Sequence, residues 1–207
     1  MDRQRFVKRA FDLAVAAAAL AVGLVPMLLV AAAIRLTSKG PALYWSDRVG
    51  RGNRLFRMPK FRTLRLGAPE VATHLLDDRR RWVTPLGSLL RRTSLDELPQ
   101  LWSILKGDMS FVGPRPALYN QDDLVAQRTA HGVHRLTPGL TGWAQIHGRD
   151  ELTIPEKVAL DAWYAEHQSL WLDLRILLAT FAKVYIRDET ASVGQQLRKA
   201  PPAKRAA

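Results

Sequence analysis

The chain has 207 residues, 47% of them hydrophobic, and carries 31 Lys and Arg against 19 Asp and Glu, a formal net charge of +12. This length accommodates one domain, or one domain with a membrane anchor, and argues against two full domains. The absence of cysteine excludes disulfides, thiolate nucleophiles and cysteine-ligated zinc, while the positive charge favours partners that carry phosphate, such as nucleotides, lipid headgroups or nucleic acid.

The first predicted element is an apolar helix near the N-terminus. Residues 14–34 contain no charged side chain, and one helix of this length would reach about 32 Å, enough for a hydrocarbon core of about 30 Å. A cleaved signal peptide fits poorly, because the run is long and is followed by RLTSKGP. Both flanks are basic, the signature of a cytoplasmic position at both ends: Arg3, Arg5, Lys8 and Arg9 before the run, and Arg35, Lys39, Arg48 and Arg51 after it.

Pro26 lies past the middle of this run and lacks the amide hydrogen that an α-helix uses at each interior position. A helix kinked at Pro26 can enter and leave the membrane by the same face, which reconciles the proline with two basic flanks. The alternative is a spanning helix with a tolerated proline, which membrane helices often contain. We expect residues 1–36 to form a re-entrant membrane helix with its basic flank.

A β-hairpin is predicted next. The stretches PALYWSDRV and RLFRMPKFRT flank GRGN at residues 50–53, the pattern of two strands around a glycine-bearing turn. Pro59 predicts that the second strand is short or lies at a sheet edge. Residues 66–81 are polar and irregular and predict a solvated loop, and residues 99–106 predict a short helix that ends at Gly107.

The C-terminal half predicts loops followed by helices. FVGPRP and TPGLTGWAQIHGR have the composition of proline- and glycine-rich loops. Pro155 is placed to open one helix and Ser169 to cap the next, and the apolar face of the latter belongs either in the core or at the membrane interface. The expected architecture is mainly α with a small β-hairpin, with one domain over residues 37–190 and a basic disordered tail over 191–207.

The stretch SLDELPQL at residues 94–101 places two adjacent carboxylates, Asp96 and Glu97, after the Arg pair of LRRT. One explanation is a helix start, in which Ser94 and Glu97 form a capping box. That explanation leaves Asp96 unused, because neighbouring helical side chains diverge by about 100°, and Pro99 fits poorly within the first turns. The alternative is a site in which one carboxylate holds Mg²⁺ against substrate phosphates and the other attacks phosphorus.

Several basic residues in loop-like segments would supply the phosphate contacts of such a site. The planar guanidinium of arginine suits phosphate oxygens, and binding sites are often built from loops on a rigid frame. For any single residue a surface role remains the alternative, so the prediction depends on the set. Its members are Lys60 and Arg62 in PKFRT, Arg91 and Arg92 in LRRT, Arg115 in GPRP and Arg149 in HGR.

The ordered motifs resemble the monotopic phosphoglycosyl transferases, also called bacterial sugar transferases. The resemblance runs from VKRAFD at residues 7–12 through SLDELPQL, GDMSFVGPRP and GLTGWAQ to LDAWYAEHQSLWLDLRILLAT. It implies a re-entrant membrane helix and a catalytic domain on the cytoplasmic face of the bacterial inner membrane, held there partly by interfacial amphipathic helices. It also implies a minimal catalytic core, without the additional N-terminal spans of larger relatives.

The resemblance further implies transfer of a sugar-1-phosphate from a UDP-sugar to undecaprenyl phosphate with release of UMP, the first membrane step of polysaccharide or glycoconjugate synthesis. In this family the aspartate of the acidic pair forms a phosphosugar-enzyme intermediate and the glutamate helps to hold Mg²⁺. The matching residues are Asp96 and Glu97. The residues that match substrate-binding positions are Lys60, Arg62, Arg115, Gln145, Arg149 and Asp161.

Two departures from the family pattern stand beside this resemblance: Val25 replaces the Ser that precedes the kinking proline in many members, and His147 replaces the usual Asn. Direct displacement without a covalent intermediate is an alternative mechanism for the same residues. A membrane-tethered basic protein that binds nucleic acid or anionic lipid is the alternative from another class, but no helix-turn-helix or RNA-binding signature is present, so no nucleic-acid partner is expected. Membrane lipids are expected partners, and self-association into a homo-oligomer stays open.

Overall fold

The computed structural model describes residues 3–69, 79–148 and 152–182. The described chain is mostly helical with a small amount of sheet, as predicted. The helices are α1 (Arg3–Thr37), α2 (Arg79–Trp82), α3 (Pro85–Arg92), α4 (Leu101–Lys106), α5 (Asp122–Ala130), α6 (Trp143–His147), α7 (Ile154–His167) and α8, which runs from residue 170 to the end of the described part at 182. The strands are β1 (Leu43–Val49), β2 (Leu55–Phe61), β3 (Ser110–Val112), β4 (Ala117–Leu118) and β5 (Gly139–Thr141). Short 3₁₀ helices span Arg51–Asn53, Leu95–Gln100 and Val133–Arg135.

The first helix, α1, is one continuous helix of 35 residues with Pro26 inside it. It is long and apolar enough to cross a membrane, yet only 6% of its most apolar 18-residue window is buried within the protein. A helix in the core of a water-soluble domain buries its apolar side chains, whereas Val22 is 82% exposed and Leu29 is 66% exposed. This apolar surface therefore requires lipid or another apolar partner.

Both ends of α1 contact the same globular body. Near the N-terminal end, the Asp12 carboxylate accepts a hydrogen bond from the Phe111 amide at 3.1 Å. Near the C-terminal end, Ile34 packs with Phe61 and Leu90 in a hydrophobic cluster. The exposed apolar surface of α1 lies between these two attachments.

Two basic residues of the N-terminal flank belong to the first attachment. Arg9 donates from Nη1 to the Ile104 carbonyl at 2.6 Å and from Nη2 to the Leu105 carbonyl at 2.7 Å. These carbonyls lie in the last turn of α4, where a cation is favourable. Lys8 forms an ion pair with the buried Asp173 of α8. The basic residues before the apolar run, which favour a cytoplasmic position for this end of α1, therefore also hold α1 against α4 and α8.

The predicted antiparallel hairpin is formed by β1 and β2, and β4 pairs with the other side of β1 to give the strand order β2-β1-β4. Pro59 lies in β2, which is an edge strand as predicted. The turn contains Gly52 at φ 66° and Asn53 at φ 59°, left-handed conformations that these two residue types tolerate best.

The two segments predicted as loops each contain or adjoin a strand, so that prediction was wrong. Strand β3 pairs in parallel with β5. Strands of three residues are too short to show the alternating pattern that marks a strand in a sequence. Glycines let the two segments approach closely: a Cβ on Gly142 would lie 2.1 Å from the Gly113 carbonyl oxygen, and one on Gly139 would lie 2.1 Å from the Gly113 amide nitrogen. The parallel pair places the GPRP loop beside the start of α6.

The helices predicted near the C-terminal end are present. Thr153 and Glu156 form a capping box at the start of α7, with Pro155 in its first turn. The Ser169 hydroxyl accepts a hydrogen bond from the Leu172 amide at 3.2 Å, which confirms the predicted cap of α8. One face of α8 is buried, and the other exposes the apolar side chains of Trp171, Leu178 and Phe181.

Two predicted segments fall largely or wholly outside the described residues. Of the predicted loop at 66–81, residues 70–78 are not described, and the residues from 79 onward belong to the helical turn α2. The predicted tail at 191–207 lies entirely outside the described part of the chain.

Candidate active site

The adjacent carboxylates lie on the 3₁₀ helix Leu95–Gln100, which connects α3 to α4. Ser94 precedes this helix at φ 57°, a left-handed conformation that is strained for a residue with a side chain. The Ser94 side chain makes no capping hydrogen bond, so the capping-box alternative does not hold. Pro99 is accommodated because the α-helix begins only at Leu101. A capping box therefore does not account for the two carboxylates.

Asp96 and Glu97 point in different directions, since consecutive residues of a 3₁₀ helix are about 120° apart. The Oε1 atom of Glu97 accepts hydrogen bonds from Lys60 Nζ at 3.1 Å and from Arg115 Nη2 at 2.9 Å. Asp96 is 9% exposed and forms no ion pair with any residue in the described ranges. One carboxylate is therefore neutralised by two cations, while the other is buried beside them.

The electrostatic environment shifts the proton affinity of these groups. Burial raises the pKa of the Asp96 carboxyl above its ordinary value; Lys60 opposes this shift, and the Glu97 carboxylate adds to it. Burial also lowers the pKa of Lys60, and the Glu97 carboxylate opposes that change. The cations around Asp96 therefore help to keep its carboxylate ionised, which a nucleophile requires.

A third cation, Arg48 of β1, reaches this site and was not among the predicted site residues. In the β1–β2 register Arg48 and Lys60 lie on the same face of the hairpin. Burial and the positive charge of Arg115 lower the pKa of Arg48 to about 10, and the Glu97 carboxylate opposes this. The hairpin register, worked out from the GRGN turn, is the sequence signal that would have placed Arg48 on the same face of the hairpin as Lys60.

The site therefore contains more basic than acidic groups. Its cations come from the hairpin and from the GPRP loop, and its two carboxylates come from the 3₁₀ helix. The excess of positive charge suits an anionic ligand, and arginine and lysine are the usual protein contacts of phosphate. The groups are Arg48, Lys60 and Arg115 on one side and Asp96 and Glu97 on the other.

Two other predicted residues use their polar groups within the protein. The Arg62 guanidinium donates to the Pro41 carbonyl at 2.6 Å and to the Ser38 carbonyl and hydroxyl at 3.2 and 2.9 Å. It therefore stabilises the connection between α1 and β1. Asp161 is 1% exposed, and its Oδ2 atom accepts two hydrogen bonds from Arg128. Both side chains are committed to partners inside the domain.

Gln145 lies on α6, next to the parallel strand pair. Both polar atoms of its amide are buried and have no hydrogen-bond partner within the part of the chain that the structure describes. Buried polar atoms without a partner are rare in native proteins, so this amide is suited to a polar ligand group or to water. Arg149 lies outside the described residues and stays a prediction.

Within residues 3–69, 79–148 and 152–182, no group of three or more His, Asp or Glu could hold a metal ion by itself. Mg²⁺ needs fewer protein ligands, because it is commonly bound by one or two carboxylates together with substrate phosphates and water. Glu97 provides one such carboxylate, and Asp96 precedes it on the same 3₁₀ helix. The residues therefore fit a magnesium ion that binds together with a phosphate-bearing substrate.

Comparison with protein families gives one match that covers most of the chain. The family model described as "Bacterial sugar transferase" matches residues 3–187. This range includes α1, the hairpin, the acidic pair and the helices α7 and α8.

Individual relatives differ in how much of their own length the match covers. The uncharacterized sugar transferase EpsL of Bacillus subtilis (strain 168) is 40% identical, over 88% of this chain and 89% of its own length. The UDP-glucose:undecaprenyl-phosphate glucose-1-phosphate transferase of Caulobacter vibrioides is 42% identical, over 87% of this chain and 70% of its own length. The undecaprenyl-phosphate galactose phosphotransferase of Salmonella typhimurium is 36% identical, over 90% of this chain but 42% of its own length. The chain thus spans less than half of the length of some of the proteins that it matches.

Proposed function

The chain belongs to the bacterial sugar transferase family, and we propose that it transfers a sugar-1-phosphate from a UDP-sugar to undecaprenyl phosphate with release of UMP. These substrate classes follow the names of the relatives from C. vibrioides and S. typhimurium. The observation that carries the proposal is the pair Asp96 and Glu97, with Lys60 and Arg115 donating to Glu97 at 3.1 and 2.9 Å. A buried carboxylate beside an excess of cations can approach a diphosphate that its own charge would otherwise repel.

Asp96 is the proposed nucleophile. Its carboxylate oxygen attacks the phosphorus that carries the sugar, and the bond from that phosphorus to the bridging oxygen of the diphosphate breaks, so that UMP leaves with the bridging oxygen. A phosphate oxygen of undecaprenyl phosphate then attacks the same phosphorus. The bond to Asp96 breaks, which regenerates the carboxylate and gives undecaprenyl-diphosphate-sugar. Each half-reaction moves one phosphoryl group and needs no oxidant or reductant.

The cations of the site are proposed to bind the diphosphate. Lys60 and Arg115 would exchange their contacts with Glu97 for phosphate oxygens, and Arg48 would add positive charge behind them. Glu97, with Asp96 beside it, would hold Mg²⁺, which supplies charge neutralisation on the diphosphate when it is bound.

Gln145 and Arg149 are proposed as further substrate contacts. The support for Gln145 is its buried amide, which has no partner in the described residues. For Arg149 the support is the Gly148-Arg149 pair, which matches the family pattern although His147 before it does not. Gln145 would contact the substrate from the side of α6.

We propose that α1 is re-entrant and that the catalytic domain rests on the cytoplasmic face of the inner membrane. In support, Asp12 and Ile34 attach both ends of α1 to one globular body, and both flanks are basic, which favours a cytoplasmic position for each. A helix that crossed the bilayer would carry one of these attachments to the opposite side. The exposed apolar residues of α8, Trp171, Leu178 and Phe181, suit a position at the membrane interface.

The test of the proposed reaction is release of UMP from a panel of UDP-sugars in the presence of Mg²⁺ and undecaprenyl phosphate. At least one UDP-sugar is expected to yield UMP with the wild-type protein. Asp96→Asn is expected to abolish release without lowering the melting temperature. Absence of UMP from every UDP-sugar would contradict the proposal, and salt-sensitive binding to DNA without transfer would favour the basic binding-protein hypothesis instead.

A further inference from the structure

We propose that Arg128 and Asp161 form a positioning pair, which fixes the main chain of Arg115 and thereby directs the Arg115 guanidinium toward Glu97. The inference rests on the proposed function, in which Arg115 binds the diphosphate of the UDP-sugar. It gives a role to Arg128, which no sequence motif singles out, and it gives Asp161 a role that involves no contact with substrate.

The pair is buried between two helices. Arg128 lies on α5 and is 7% exposed, and Asp161 lies on α7 and is 1% exposed. Arg128 donates to Asp161 Oδ2 from Nε at 3.0 Å and from Nη2 at 2.6 Å. Removing two charges from water is costly, so a buried ion pair is weak evidence for a gain in stability. The remaining contact of Arg128 indicates what the pair does.

The third nitrogen of the Arg128 guanidinium contacts the loop that carries Arg115. Its Nη1 atom donates to the Arg115 carbonyl oxygen at 2.8 Å. The guanidinium group is planar and its donors have fixed directions, so the two bonds to Asp161 also fix the direction of Nη1. The main chain of Arg115 is thereby held in place relative to α5 and α7.

Other contacts reduce the remaining freedom of this loop. Pro116 restricts the backbone of the residue before it, which is Arg115. Arg48 donates from Nη1 to the Pro116 carbonyl at 3.3 Å, and the chain just before the loop is paired as β3 with β5. From this fixed backbone the Arg115 side chain reaches Glu97 Oε1 at 2.9 Å. Arg128 and Asp161 therefore act on the site through Arg115.

A merely structural pair would behave differently. If the pair only stabilised the fold, its removal would lower kcat/KM by the same factor whether or not Arg115 is present. Arg128→Lys distinguishes the two roles, because lysine keeps a positive charge beside Asp161 but replaces three directed donors with one compact ammonium group. Asp161→Asn serves as the second variant, since it keeps the size of the side chain and removes the charge.

The experiment is a double-mutant cycle on the full chain, with kcat/KM for the UDP-sugar measured by UMP release. Arg128→Lys is expected to lower kcat/KM by about tenfold or more in the wild-type background, because misplacement of a binding group by about 1 Å costs up to a hundredfold. In the Arg115→Ala background the same substitution is expected to change kcat/KM by less than about twofold. Equal fold losses in the two backgrounds would overturn the proposal. Arg135→Lys, at an exposed arginine nearby in sequence, is the matched control and is expected to keep the wild-type value.

Calorimetric binding of UDP, measured without turnover, separates this proposal from the proposed reaction. Arg128→Lys is expected to weaken UDP binding only when Arg115 is present. If no UDP-sugar yields UMP but this pattern holds, the reaction is wrong and the positioning role stands. If UMP is released and the losses are equal in both backgrounds, the positioning role alone is wrong. A wild-type protein that neither releases UMP nor binds UDP contradicts both.

Discussion

The Nζ atom of Lys60 lies 3.1 Å from Oε1 of Glu97, in an ion pair whose side chains are 15% and 14% exposed. This ion pair joins the edge strand β2 to the 3₁₀ helix of the acidic pair. Arg115 reaches the same oxygen from the GPRP loop at 2.9 Å. One carboxylate oxygen therefore links three segments that are far apart in sequence, and Asp96 lies at their meeting point.

Lys60→Met is expected to lower kcat/KM for the UDP-sugar by about a hundredfold, because it removes a partly buried cation from the phosphate site. The measurement is UMP release at a range of UDP-sugar concentrations. Arg57→Met is the matched control, since Arg57 is exposed on the same strand and faces the other side of the hairpin. Similar losses of kcat/KM in the two variants would show that any substitution on β2 lowers activity, and would contradict a specific role for Lys60 in the site.

Asp12→Ala is expected to lower the free energy of unfolding by about 2 kcal/mol, because the Phe111 amide loses a buried charged acceptor. Urea unfolding in detergent micelles measures this change. Asp47→Ala, at an exposed position on β1, is the control and is expected to change the free energy by less than about 0.5 kcal/mol. A loss in Asp12→Ala no larger than in this control would contradict the attachment of α1 to β3.

Single cysteines at Arg5 and Lys39 test the topology of α1, because the chain has no native cysteine and both positions are exposed. The re-entrant arrangement predicts that a membrane-impermeant maleimide labels both cysteines in inverted inner-membrane vesicles. Neither should react when only the periplasmic side is accessible. Labelling from opposite sides would show that α1 spans the membrane.

Gly142→Ala is expected to destabilise the domain by about 2 kcal/mol and to reduce UMP release, because overpacking forces backbone shifts. The added methyl group would lie 2.1 Å from the Gly113 carbonyl oxygen, next to the GPRP loop. The control is Gly23→Ala on α1, where the nearest atom would lie 3.9 Å away. If the melting temperature of Gly142→Ala equals that of the control, Gly142 does not lie as close to Gly113 as the structure shows.

The elements that could be predicted from the sequence have local signals. The hairpin is marked by GRGN and by Pro59, α7 by Pro155 in its first turn, and α8 by the Ser169 cap. The acidic pair was predicted as a site because a capping box would use only Glu97 and would leave Asp96 without a role. Such signals depend only on residues close together in the chain.

The parts that could not be predicted depend on partners that are distant in sequence. The parallel pairing of β3 with β5 has no local pattern, since each strand has three residues. Asp161 and Arg128 are 33 positions apart, and only the packing of α7 on α5 brings them together. The sequence also does not separate Arg62 from Arg115. Arg62 donates to main-chain carbonyls, and this difference in role depends on the folded structure. A basic residue in a proline-rich motif looks the same in both situations.

The mass of the protein after incubation with a UDP-sugar and Mg²⁺, without undecaprenyl phosphate, tests the covalent mechanism most directly. We expect UMP release together with the addition of one sugar phosphate to the peptide that contains Asp96. The added mass should disappear when undecaprenyl phosphate is supplied, and Asp96→Asn should remain unmodified. UMP release only in the presence of undecaprenyl phosphate, with a protein that stays unmodified throughout, would contradict the aspartyl intermediate and support direct displacement.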